Sequence, residues 1–240
     1  MLNRVSRSFA IVIQQLPVDL RDSICVFYLV LRALDTVEDD MAIPVATKVP
    51  VLRSFFERLS DPEFKVRTFV TYPSATARAA AFFAPGKGAT GTSMTFSPRC
   101  APQYPCGMGP YVDLMDQYPK VTAVYLTLPQ KHREVIADIT RRMGNGMADF
   151  IESEVVSEKD WDLYCHYVAG LVGVGLSDLF VASGLEGSEF TTDRGYALAN
   201  DMGLFLQKTN IIRDYLEDIC EEPAPRCAVV GWDGRLTVKT

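Results

Sequence analysis

Histidine is scarce in this chain, which has only His132 and His166, and its six cysteines (Cys25, Cys100, Cys106, Cys165, Cys220, Cys227) never fall in C-x-x-C spacing. That scarcity argues against a structural zinc site and leaves the cysteines as reduced thiols of a cytosolic compartment. Basic charge is also short. With 24 Lys and Arg against 30 Asp and Glu, the net charge of -6 excludes the clustered cationic surface that holds nucleic-acid phosphates. Polar and basic residues follow Met1 directly, so no secretory leader is expected. A long uncharged apolar run is missing too: residues 168–185 come nearest, but they contain Asp178 and four glycines. The stretch therefore reads as a packed core helix, with Gly170, Gly173 and Gly175 admitting a close neighbour, and not as a membrane span. Residues 66–110 contain no Asp or Glu and six of the fourteen prolines, the signature of a loop or of an insertion foreign to the fold.

What is present is apolar and helical in period. At 240 residues and 48% hydrophobic content the chain can bury one large core. Apolar steps of three and four predict a helix from Leu20 to Met41 behind Pro17 and a shorter one over 46–60. A third is predicted over 128–154, where Ile136, Ile139, Met143, Met147 and Phe150 keep the step. A fourth runs over 157–183, with Ser157 as its cap and acids in its first turn, and a fifth over 193–219. The last fourteen residues, 227–240, turn β-like around Asp233-Gly234 and are expected to form one hairpin or no regular structure.

The acids are where the pattern becomes chemical. The stretch LRALDTVEDD, residues 31–40, ends an apolar helix with four carboxylates in six positions. Asp35, Glu38 and Asp39 stand at i, i+3 and i+4, on one helical face, an arrangement that is costly unless a cation sits in it. The same D-x-x-E-D spelling returns at Asp214, Glu217 and Asp218. A single match is most often a solvated helix end, but two facing clusters make a hard, oxygen-lined site suited to Mg2+. Bound metal would invert the local charge and let an acidic protein hold an anionic substrate. Tyr28, Arg32, Asp35 and Asp39 follow one helical stripe, and Gln207, Asn210, Asp214 and Asp218 another. Arg32 and Arg213 lie beside the clusters, where a guanidinium can grip a diphosphate. Asp40 has Ile219 as its counterpart and reads as a helix-end charge.

The segments VSRSFAIVIQQLP, FYLVLRALDTVEDD, YCHYVAGLVGVGLSDLF and MGLFLQKTNIIRDYLEDI resemble squalene synthases, and more distantly phytoene synthases, over about residues 1–65, 111–186 and 196–226. The resemblance implies an all-α class I isoprenoid synthase fold: one domain over 1–226, interrupted at 66–110 and followed by the unrelated tail 227–240. It implies Mg2+ on Asp35, Glu38, Asp39, Asp214, Glu217 and Asp218, with the two glutamates either in the site or facing solvent. Arg7, Arg32 and Arg213 would bind diphosphate or NADPH phosphates. Ser6, Ser8, Phe9 and Tyr28 would line the substrate cavity, with Gln207 and Asn210 on its polar wall. Tyr164 matches the family's proposed acid/base, although spacing alone favours a core tyrosine, and His166 reads as a packed, hydrogen-bonded histidine.

The implied activity is the head-to-head joining of two farnesyl diphosphates to presqualene diphosphate, then NADPH-dependent reduction to squalene, by a monomer at the cytosolic face of the endoplasmic reticulum. Relatives continue after residue 226 with further helices and a C-terminal membrane anchor. A chain without them is expected to be weakly active or inactive. The alternatives are a phytoene-synthase-type prenyl transferase and a non-catalytic helical derivative.

Overall fold

In a computed structural model the described residues are 1–40, 43–66 and 110–220, without the side chains of Arg7, Ser8, Pro110 and residues 214–220. The expected insertion, apart from its two ends, and the tail 227–240 lie outside them. All regular elements among the described residues are helical. They are α1 (Leu2–Val5), α2 (Arg7–Gln14), α3 (Val18–Asp39), α4 (Val45–Ser54), α5 (Pro110–Asp116), α6 (Tyr118–Thr127) and α7 (Gln130–Ile151), followed by α8 (Glu158–Cys165), α9 (Leu171–Ala182) and α10 (Asp193–Cys220).

α3 lies at the centre because its apolar stripe is nearly continuous. Leu20, Ile24, Phe27, Leu31 and Leu34 recur at steps of four and three, and all are buried. Ile136, Ile139 and Met143 of α7 and Leu171 and Leu179 of α9 join them in one core. α4, α6, α7 and α9 all pack on α3, and α9 in turn packs on α10, so a single helix holds both acid-bearing helices. The capping of α8 follows its sequence. Ser157 Oγ accepts from the Asp160 amide at 3.2 Å, while the Asp160 carboxylate accepts from the Ser157 amide at 2.9 Å. α9 stops at Gly184, whose φ of 76° suits the left-handed turn that ends a helix.

The segment expected as one continuous helix over 157–183 differs in one respect. Between α8 and α9 the turn His166–Gly170 widens to a π-helix. Its surroundings are tight: a Cβ on Gly146 would stand 2.1 Å from the Tyr167 ring, and one on Gly170 would stand 2.2 Å from Asn200 Oδ1. The extra residue in the turn lets these groups pass. Likewise the expected helix over 46–60 is α4 followed by a 3₁₀ turn, Phe55–Arg58.

The glycines at 170, 173 and 175 do admit a close neighbour. A Cβ on Gly173 would lie 2.4 Å from the Ala199 carbonyl oxygen of α10, and one on Gly175 would lie 2.6 Å from the Phe27 ring of α3. Gly203 completes the seam from the other side: a Cβ there would lie 2.6 Å from the Ala169 carbonyl oxygen of the π-turn. Because both obstacles at that seam are backbone, Gly203→Ala is expected to cost about 1–3 kcal/mol by overpacking, read as a lower denaturant midpoint at unchanged slope. A midpoint equal to the parent's would show that α9 and α10 separate freely. Asp178, the acid inside the apolar stretch, accepts a hydrogen bond from the Tyr196 hydroxyl at 2.5 Å, so its carboxylate is partnered across the same seam.

Candidate functional site

The first wall is built on α2 and α3. Ser6 is buried in extended backbone between α1 and α2, where the chain turns so that α2 can lie against α3. Phe9, 61% exposed, leans on Tyr28 with ring centroids 5.9 Å apart. The Tyr28 hydroxyl donates to the Val5 carbonyl at 3.2 Å, which locks the ring. One turn further along, the Arg32 guanidinium lies 5.9 Å from the Tyr28 centroid, 5.8 Å from that of Tyr111 on α5, and 3.5 Å from the Asp35 carboxylate. Phe9, Tyr28, Arg32 and Asp35 thus form one continuous surface. Arg7 and Ser8 stand on α2 beside it, with side chains outside the described residues. Tyr111 was invisible in the sequence, since nothing there ties α5 to α3.

Arg32 is half-buried yet firmly charged. Burial works against the guanidinium, but Asp35 and Tyr28 outweigh it and raise its proton affinity above the ordinary arginine value. Its Nε is buried without a hydrogen-bond partner, a donor left over in a guanidinium built for bidentate contact.

The carboxylates beyond Arg32 are under strain of charge. Burial, opposed by Arg32 and aided by Asp39, pushes Asp35 up to about 7. Burial, then the charge and hydrogen bond of Asp39, pushes Glu38 up to about 8. Asp39, exposed at the rim, is also raised by desolvation. Beneath them lies Lys48 of α4, a buried lysine whose Nζ donates to the Glu38 carbonyl oxygen at 2.5 Å. It caps the negative end of α3 and answers part of the carboxylate charge. Its place in a short helix with little amphipathic contrast gave no hint of this.

Three crowded, desolvated carboxylates with hard oxygen donors fit a divalent cation of the Mg2+ kind. They supply only part of a cage: among the described residues no three His, Cys, Asp or Glu side chains converge on one metal position. The second D-x-x-E-D stretch lies on α10, whose helix runs unbroken through Asp214, Glu217 and Asp218, although those side chains lie outside the described residues. Gln207 is half-buried and Asn210 and Arg213 are exposed along it.

Tyr164 lies on α8. It is half-buried with its ring edge-on to Phe150 at 5.6 Å, in a small aromatic cluster with Trp161 and Val155 that is separate from the main core. His166 is packed and hydrogen-bonded, its Nδ1 2.6 Å from Asn200 Oδ1. The sequence reading missed Asn200, although the α10 stripe extends back to it in steps of three and four.

Comparison with known proteins shows the family of the chain. The family model for squalene/phytoene synthase matches residues 2–228. Lycopaoctaene synthase of Botryococcus braunii is 56% identical over 94% of this chain and 42% of its own length. Squalene synthase of Solanum lycopersicum is 50% identical over 94% of this chain and 44% of its own length. The solved structure of TcSQS with the ligand BPH1237 superposes with a TM-score of 0.73 at 45% identity, over 94% of this chain and 54% of that one. The chain spans less than half the length of these curated relatives.

Proposed function

This chain is a member of the squalene/phytoene synthase family, and from that premise we propose that it carries the diphosphate-binding half of a head-to-head prenyl transferase acting on two farnesyl diphosphates. The observation that carries the proposal is the Arg32–Asp35 pair, which joins an aromatic wall to a row of carboxylates whose proton affinities are raised by crowding.

Asp35, Glu38 and Asp39, with Asp214, Glu217 and Asp218 opposite, would hold Mg2+, which supplies charge to a departing diphosphate. Arg32 donates to diphosphate oxygens through its fork, with Arg7 and Arg213 as further donors. Phe9 and Tyr28 give the allylic end of the substrate an aromatic surface and keep water from it. Gln207 and Asn210 hold the polar side, and Ser6 and Ser8 sit at the α2 entrance. Tyr164 takes the proton whose loss closes the cyclopropane of presqualene diphosphate. A neutral tyrosine is a weak base, so the role needs help from the released diphosphate. The NADPH requirement, whose chemistry is hydride supply in the second half-reaction, rests on family membership. The relatives' place at the cytosolic face of the endoplasmic reticulum belongs to the same proposal.

Incubation with farnesyl diphosphate and Mg2+, with and without NADPH, tests it, for the chain alone and for the chain joined to the C-terminal part of a curated relative. Squalene with NADPH, and presqualene diphosphate without it, are the expected products of the joined protein. Absence of both would leave a non-catalytic derivative. A second reading is the phytoene-synthase-type prenyl transferase of the same family. Product from geranylgeranyl diphosphate would establish it.

A further inference from the structure

The π-turn His166–Gly170 and the N-terminal half of α10 approach more closely than ordinary helices do. Gly203 sits against the Ala169 carbonyl, the Gly170 Cβ position is filled by Asn200 Oδ1, and His166 Nδ1 meets that same oxygen at 2.6 Å. A carbonyl oxygen only accepts, so the contact requires the proton on Nδ1. Asn200, Gly203, Gln207, Asn210 and Asp214 follow one another at steps of three, four, three and four, on one stripe of α10. The first two members of the stripe are thus held by the π-turn, and the last, roughly 21 Å further along the axis, begins the second acidic cluster.

We infer that His166 and Asn200 form a positioning pair that fixes the rotation of α10 about its axis, and so the face on which Gln207, Asn210 and Asp214 fall. The inference rests on the proposed role of Asp214 at the metal. Two other side-chain ties hold α10 to its neighbours, Tyr196 to Asp178 on α9 and Lys208 to Asp162 on α8, but at the π-turn itself the glycine contacts set only the distance between the elements, whereas the His166–Asn200 hydrogen bond fixes register. A wide turn costs regular helix bonds and is found most often where a function demands it. Here it brings the imidazole across to α10. Neither residue touches substrate in this scheme. They act through α10, as outer partners of metal ligands do.

Four variants of the full chain test the pair: His166→Leu, Asn200→Leu, His166→Asn and Asn200→Asp. The asparagine at 166 puts an amide donor where Nδ1 stands, and the aspartate at 200 keeps the accepting oxygen. Two readouts apply, amide hydrogen exchange over residues 203–213 and calorimetric titration with Mg2+. Both leucine variants are expected to exchange about tenfold faster over 203–213 and to need about tenfold more Mg2+ for half-saturation. His166→Asn and Asn200→Asp are expected to exchange at the parent rate. Parent-like exchange in the leucine variants, or a His166→Asn protein as fast as His166→Leu, overturns the inference. If a leucine variant does not fold, Asn200→Asp decides alone: parent-like exchange supports the pair and faster exchange removes it. If the parent itself takes up no Mg2+, the metal reading fails, while exchange and rescue still judge the pair.

Discussion

In metal-free buffer the melting temperature is expected to fall as pH rises from 6 to 9, by roughly 5 °C, and Mg2+ is expected to reverse the trend. Asp35 and Glu38 hold their protons more tightly in the folded chain, up to about 7 and about 8, than in the unfolded chain, where ordinary values near 4 apply. Their contribution to stability is therefore complete below about pH 4 and is lost as pH climbs through 7 and 8. The size follows from about 2 kcal/mol, discounted for solvent screening at half-buried Asp35 and Glu38, at 2–4 °C per kcal/mol in a domain of this length. Mg2+ binds the ionised form, and at a hundred times its Kd adds about 2.7 kcal/mol. Glu38→Gln with Asp39→Asn removes part of the charge that both effects need. Asp35, whose shift comes mainly from burial, remains in that double variant, so its melting temperature should fall less steeply across the range than the parent's and recover less with Mg2+. Thermal melts at several pH values decide the matter: a parent curve that rises from pH 6 to 9 without metal would show that the cluster is not crowded in the folded state.

The second large effect concerns Arg32. Arg32→Gln is expected to weaken inorganic pyrophosphate binding in the presence of Mg2+ by about a hundredfold, the worth of two charge-assisted hydrogen bonds. Arg32→Lys is expected to recover little of it. Arg32 lies near the rings of Tyr28 and Tyr111 while facing Asp35, and an ammonium offers neither the flat stacking surface nor the fork. Loss of the guanidinium also leaves Asp35 without its counter-charge, so the pH-dependent fall in melting temperature should steepen. Calorimetry with pyrophosphate supplies the measurement, and a lysine variant that binds as the parent does would assign the work to charge alone.

Much of this was legible in the residues. α3, α7 and α10 follow from apolar steps of three and four, and the capping box at Ser157 lies within two residues of the start of α8. The close approach at Gly170, Gly173 and Gly175 was readable because three glycines in six apolar positions have few other uses. The tie between Arg32 and Asp35 was readable as neighbours on a helical face. What was hidden depends on tertiary contact. Nothing in the spacing around Lys48 distinguishes it, and only the fold sets it under Glu38. Tyr111 and Asn200 reach their partners from other elements, and no spacing along the chain encodes such a meeting. The π-turn was hidden for a different reason: its apolar residues fit an α-helix equally well, and only the neighbours at Tyr167 and Asn200 select the wider turn.

The glycine seam between α9 and α10 also divides α10 lengthwise for anyone who would redesign the protein. On the seam side backbone meets backbone at Gly173 and Gly203, so there is no side-chain volume to trade. Away from the seam Leu198, Met202 and Phe205 are each more than half exposed, and on α2 so is Phe9. Changes of side-chain volume are therefore better tolerated at exposed Met202 and Phe205 than along the seam. Diversity spent on the seam would mostly return chains that fail to assemble.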